Sequence, residues 1–128
     1  MTASEHPHTN PDCRAVSEVL SRVGDKWTVL VVQALADGPM RFNALKREVG
    51  GISQQMLTRT LRALERDGMV SRTVHPDTPP RVEYALTGLG HSLAQPVLAL
   101  VAWTFANLPA IHAHRENFDG TRSEAAAA

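Results

Sequence analysis

The stretch from Arg41 to Leu86 holds four local signals in a fixed order: a short apolar-faced helix, a Gly-Gly turn, a polar-faced helix and a two-stranded hairpin. The first helix runs from about Arg41 to Glu48, with Phe42, Leu45 and Val49 at helical spacing and facing inward. Gly50-Gly51 permits the sharp turn that follows, because residues without a Cβ reach positive φ at little cost. Ile52 plugs the corner and Ser53 caps the next helix, which runs to about Asp67 and stops at Gly68. Leu57, Leu61 and Leu64 line one side of that helix, and Gln54, Gln55, Thr58, Arg59 and Arg62 line the other. Val70 to Val74 and Arg81 to Leu86 read as strands around a stiff tip, His75-Pro76-Asp77-Thr78-Pro79-Pro80. This order predicts a winged helix-turn-helix: mainly α, with a small β-hairpin wing.

The flanks supply the rest of the domain. Val16, Val19, Leu20 and Val23 predict a first helix from about Arg14 to Val23, ended by Gly24. Asp25 caps a second helix, about Lys26 to Ala36, whose Val29-Leu30-Val31-Val32 run could also suit a buried strand. Asp25 before it and Asp37-Gly38-Pro39 after it favour the helix, and its nearly all-round apolar surface places it at the centre of the core. Thr87 caps a last helix bearing two apolar stripes, one through Leu89, Leu93, Val97, Leu100, Thr104 and Leu108, the other through Ala94, Leu98, Val101 and Phe105. Two stripes exceed what one small core needs, so part of this helix is expected to meet a second subunit. Pro96 removes one helical hydrogen bond and is expected to kink it. The expected organisation is a flexible arm over residues 1–12, the domain over 13–111 and a disordered tail over 112–128.

At 128 residues the chain has room for one domain with a real core. Its net charge is zero, but residues 41–81 carry +4 while the segments on either side carry −2 each. Positive charge is therefore concentrated where a winged helix meets phosphates. The bland alternative is a solvated charged face. The single cysteine, Cys13, excludes an internal disulfide and a cysteine-rich zinc site. His6 with His8, and His112 with His114, lack convergent further ligands, so no metal site is expected. No Ser-His-Asp set, paired catalytic carboxylates or glycine-rich phosphate loop stands out, so no enzyme activity or cofactor is expected. No apolar run of membrane-spanning length and no signal-peptide pattern stands out, which makes the cytoplasm the expected location.

A set of ordered matches adds to this reading. It comprises Cys13, Gly24-Asp25-Lys26-Trp27, Gly38-Pro39, Arg41-Phe42-Asn43-Ala44-Leu45, Gly51-Ile52-Ser53, Met56-Leu57-Thr58, Leu61 and Leu64-Glu65-Arg66-Asp67-Gly68. It continues through Pro79-Pro80-Arg81-Val82-Glu83-Tyr84, Leu86-Thr87, Gly90 and Trp103. Over about residues 13–108 the chain resembles the HxlR family of bacterial winged-helix transcriptional regulators, a branch of the MarR-like group. The resemblance implies a homodimer joined through its terminal helices, with the fourth helix in the major groove and the wing near the flanking minor groove. It also implies a repressor or activator, several of whose relatives respond to oxidants, electrophiles, aldehydes or quinones.

The candidate DNA-contact residues follow. Gln54, Gln55 and Thr58 stand near the start of the fourth helix, where recognition helices approach base edges. Glutamine suits adenine, and Arg59 or Arg62 suits guanine or phosphate. Ser53 has capping as its first role and phosphate contact as its second. Arg41, Asn43 and Lys46 are candidate phosphate contacts from the preceding helix. Arg72 and Arg81 flank the wing, one reaching phosphate or the minor groove and the other free to pair with Glu83. The resemblance adds Lys26 as a phosphate contact, against an ordinary surface lysine. Trp27 and Trp103 read as core or dimer packing, with a ligand cage as the alternative, and a small-molecule effector in a dimer-interface pocket competes with a thiol sensor.

The candidate dimer interface is Val16, Leu20, Leu93, Val97, Leu100, Trp103 and Thr104. Cys13 begins the first helix, where a helix N-terminus and Arg14 favour the thiolate and Asp12 opposes it. Family members that sense oxidants use a cysteine in this region, though many place a proline where Arg14 stands here. With one cysteine, oxidation must give an intersubunit disulfide, a mixed disulfide or an adduct; the alternative is a passive thiol. The rival to a DNA-binding regulator is a winged-helix protein-interaction module, which would show apolar residues on the outer side of the fourth helix.

Overall fold

The structure, a computed structural model, describes residues 11–127. Along the chain lie α1 (Pro11–Val23), α2 (Lys26–Leu35), β1 (Met40–Arg41), α3 (Phe42–Val49), α4 (Gln54–Arg66), β2 (Val70–His75), β3 (Arg81–Leu86) and α5 (Gly88–Ala127). The mainly helical chain thus carries one small antiparallel sheet of order β1-β3-β2. The described residues divide into two compact units, with the boundary between Ala94 and Gln95. The first holds α1 to α4, the sheet and the opening turns of α5, and the second is the remainder of α5.

Helix α2 is the centre of the first unit. Its β-branched run forms a helix because the Asp25 carboxylate accepts the amides of Trp27 (2.8 Å) and Thr28 (3.3 Å), satisfying donors that a helix start leaves open. Val31, Val32 and Leu35 are then completely buried, with Leu45 of α3 and Leu57, Leu61 and Leu64 of α4 around them. Gly50 (φ 61°) and Gly51 (φ 77°) turn the chain between α3 and α4, and Ile52 closes the corner at 4% exposure.

Helix α4 ends in a Schellman motif. Gly68 (φ 77°) donates to the Glu65 carbonyl and Met69 to that of Leu64. The Thr87 hydroxyl donates to the Gly68 carbonyl and accepts the Gly90 amide at 3.1 Å, so one side chain caps α5 and fastens it to that corner.

In the sheet, Val70 pairs with Leu86, Arg72 with Tyr84 and Val74 with Val82 on one face. Only the base of that face is buried, at Val70 and Leu86; Val74, near the tip, is 52% exposed. Ser71, Thr73 and His75 face outward opposite Ala85, Glu83 and Arg81.

Several expectations are corrected. Met40–Arg41 forms a strand paired to Tyr84 and Glu83, so Arg41 caps α3 from outside instead of opening it. Residues 11–12, assigned to the arm, begin α1; residues 1–10 lie outside the described residues. Helix α5 runs on to Ala127 through the segment expected to be a disordered tail, and contains both Pro96 and Pro109. A helical ladder is local, so it can continue where no apolar stripe signals packing. Residues 88–122 also form one helix long and apolar enough to cross a membrane, with only 6% of its most apolar stretch buried. The run escapes a reading of the letters because Gln95, Pro96, Thr104, Asn107 and Pro109 interrupt it. Val97, expected at the dimer interface, is 5% exposed within this single chain.

Candidate nucleic-acid interface

The outer face of α4 is built by spacing alone. Gln54, Gln55, Thr58, Arg59 and Arg62 recur at three- and four-residue intervals, opposite the buried Leu57, Leu61 and Leu64. They line one open groove of about 550 Å³, with no other element contributing among the described residues. The helix begins at a satisfied cap, the Met56 amide donating to Ser53 Oγ at 3.0 Å, and its first turn carries no acidic residue. Its remaining free N–H groups and dipole favour an anion there. Glutamine amides and guanidinium groups on an exposed helix offer paired donors and acceptors of the kind that base edges complement. None of these five side chains is a large apolar residue, so the face lacks what a protein-docking surface needs at its centre.

The other candidates divide into groups. Arg72 shares a groove with Thr58, Arg62, Glu65 and Tyr84, at the junction of α4 and the sheet. Arg41, Asn43 and Arg81 share a larger one, about 740 Å³, between α3 and the wing tip. Lys46 lies beside Asn43 along the α3 corner, with Gly51 and Ile52. Lys26 stands apart, its ammonium 4.5 Å from the Trp27 ring centroid in a cation-π contact.

The pairing proposed for Glu83 is corrected. His75 takes that carboxylate, and Arg81 pairs through Nε with Asp77 at 3.2 Å. In this register His75 sits opposite Arg81 and reaches Glu83 diagonally, while the tip's return brings Asp77 to Arg81.

Of the dimer candidates, Val16, Leu20, Leu100 and Trp103 are between 56% and 62% exposed, Leu93 is half-buried and Thr104 donates to the Leu100 carbonyl. Cys13 is a half-buried free thiol in the first turn of α1. His112 and His114 are exposed and two residues apart on α5, which points them to different sides of the helix. His6 and His8 lie outside the described residues.

Residues 22–112 match the HxlR-like helix-turn-helix family. The chain belongs to that family. This HxlR-like protein is 46% identical over 99 residues to the HTH-type transcriptional regulator YtfH of Escherichia coli strain K12, covering 77% of this chain and 79% of the relative. Among solved structures, the transcriptional regulator YtfH from Salmonella typhimurium is similar at a TM-score of 0.74 and 46% identity, over 79% of this chain and 90% of that one. The redox regulator HypR in its oxidized form is similar at a TM-score of 0.68 and 41% identity, over 73% and 96% of the two chains. The HxlR-like chain is therefore a helix-turn-helix transcriptional regulator, of a family of DNA-binding regulators and not of enzymes. Its fold is the winged helix of the MarR-like group.

Sequence reasoning passed over one residue of this surface. Arg47 lines both the wing-tip groove and the corner groove. The signal was its four-residue spacing from Asn43, which places the two on one face of α3.

Proposed function

We propose that this regulator is a cytoplasmic homodimer that occupies an inverted-repeat operator as a repressor. Two α4 helices enter successive major grooves about one DNA turn apart, or a small multiple of it. The observation that carries this reading is the face of α4, five polar and cationic side chains on a helix whose other side is fixed in the core. Base contacts from Gln54, Gln55, Thr58, Arg59 and Arg62 give specificity. Phosphate contacts from Arg41, Asn43, Lys46, Ser53, Arg72, Arg81 and Lys26 give affinity and a steep salt dependence.

The second subunit covers exposed apolar residues: Val16, Val19 and Leu20 on α1, and Leu98, Leu100, Trp103 and Phe105 on α5. Large apolar side chains left this open on a monomer mark an interaction surface. The match to transcriptional regulators favours a protein partner over a lipid one for α5.

A thiol switch at Cys13 is the second element of the proposal, favoured by the similarity to the redox regulator HypR. Modification of the thiol changes how the two subunits hold their α4 helices, and with it the operator affinity. The experiment is selection of binding sites from a random DNA pool with reduced and with diamide-treated protein. An inverted repeat enriched by the reduced protein alone supports dimeric operator binding and the switch. The same repeat in both arms retains the regulator and removes the switch. No enrichment in either arm overturns sequence-specific binding.

A further inference from the structure

We propose that the cavity between α1, α2 and α4 is an effector site for a small zwitterion of the amino-acid class, and that its occupant engages Arg59 and so withdraws it from DNA. The DNA half of this proposal rests on the operator-binding reading above.

The cavity has a volume of about 240 Å³ and lies wholly within the first compact unit. Helix α1 contributes Glu18 and Arg22, α2 contributes Thr28 with its cap Asp25, and α4 contributes Arg59 and Thr60. Glu18 and Arg22 stand one turn apart on α1, on the side opposite the exposed Val16 and Leu20. The site is therefore separate from the apolar face proposed for the second subunit.

Two hydroxyls line the cavity with nothing to bond. Thr28 is 3% exposed and Thr60 7%, yet neither hydroxyl makes a hydrogen bond among the described residues. Nor are their oxygens sealed in: the enclosed side-chain atoms without a hydrogen bond, among the described residues, are Arg22 Nε and Arg81 Nε. What opening each hydroxyl keeps is toward the cavity it lines. Buried polar groups are normally hydrogen-bonded, so two such hydroxyls call for a polar occupant.

Charge narrows the choice. Arg22 is paired with Asp67 at 3.5 Å. Glu18, Asp25 and Arg59 have no ion-pair partner among the described residues, although Asp25 Oδ1 accepts two amides. The lining thus offers carboxylates to an ammonium and a guanidinium to a carboxylate. The volume falls below the roughly 300–1,000 Å³ of clefts for drug-sized ligands, which suits a molecule the size of an amino acid. Arg59 also lines the groove on the outer face of α4. A guanidinium held by a carboxylate in the cavity is lost to a base or phosphate outside it.

The test melts the full chain with the common L-amino acids one at a time, and with butylamine and propionate, each of which carries one of the two charges. Concentrations stay below those at which such solutes act as osmolytes. The proteins are wild type, Thr60→Val, Thr28→Val and Glu18→Gln. At least one amino acid is expected to raise the wild-type Tm by an amount that grows with the logarithm of its concentration, while butylamine and propionate do not. Thr60→Val and Thr28→Val each remove an unpaired hydroxyl, so they are expected to keep the unliganded Tm and lose the shift. Glu18 is exposed, so Glu18→Gln tests the ammonium contact without touching the core. No shift with any amino acid overturns the site, as does a shift that survives in all three variants. An equal shift with butylamine or propionate overturns the zwitterion. Titration of the selected operator then reads the coupling: the effective amino acid is expected to weaken wild-type binding by roughly 5–150-fold. Unchanged operator affinity at saturation overturns the withdrawal of Arg59. Wild type that selects no operator overturns the operator reading and the Arg59 half with it, while the melts decide the site independently.

Discussion

A Cβ on Gly90 would overlap the carbonyl oxygen of Met69. The first turn of α5 and the turn after α4 approach so closely there that only a residue without a side chain fits. Gly90→Ala is expected to destabilise the fold by about 1–3 kcal/mol, the usual cost of overpacking. A thermal melt checks this, with a fall in Tm of roughly 3–15 °C for a chain of this size. An unchanged Tm would mean that the corner relaxes freely.

Asp25 holds two amides at the start of the central helix. Asp25→Ala is expected to cost about 0.5–2 kcal/mol, with Asp25→Ser recovering most of it. Chemical denaturation with equal m-values across the variants is the measurement. Equal stability of Asp25→Ala and wild type would show that α2 is held by burial alone.

Arg59 stands on the outer face of α4, one turn after Gln55. Arg59→Ala is expected to weaken operator binding by about 1–3 kcal/mol and to relax the preference at one base position. Titration against the selected site and its single-base variants reads both effects. An unaltered affinity and preference removes Arg59 from the base-reading set.

Val97 and Trp103 lie on the same helix but differ in burial, 5% against 57% exposed. Val97→Ala is expected to lower stability by roughly 1–3 kcal/mol through the cavity it leaves. Trp103→Ser, with Leu100→Ser, is expected to leave the far-UV spectrum intact and to shift sedimentation from dimer towards monomer. Were the double variant to remain dimeric, α5 would not be the main contact between subunits.

Cys13→Ser is expected to bind the operator as wild type does under reduction and to lose any response to diamide. A mobility-shift series with and without oxidant checks this, and a variant that still responds places the sensor elsewhere.

Most of the first unit was legible because its signals are local. Asp25, Ser53 and Thr87 each announce a helix start, and the Gly50-Gly51 pair announces the turn. Leu57, Leu61 and Leu64 sort α4 into an inner and an outer side, which makes the reading face visible before any coordinates. The misses arise where the information is not local. A strand of two residues, Met40–Arg41, has no alternation to detect and exists only because Tyr84 and Glu83 lie opposite. The partner of Glu83 depends on strand register, so His75 could not be chosen over an arginine from spacing alone. Val97 and Leu100 are equally apolar in the sequence, and only packing separates them. The helix beyond His112 carries no amphipathic stripe and so gave no sign of itself.

The short strand β1 has a mechanical effect out of proportion to its length. Arg41 is paired to Glu83 of the wing and is also the residue from which α3 departs. Wing and helix-turn-helix are thus joined through the two residues Met40 and Arg41. Under the operator reading proposed above, α3 and the wing therefore meet DNA as one joined edge and not as two separate arms.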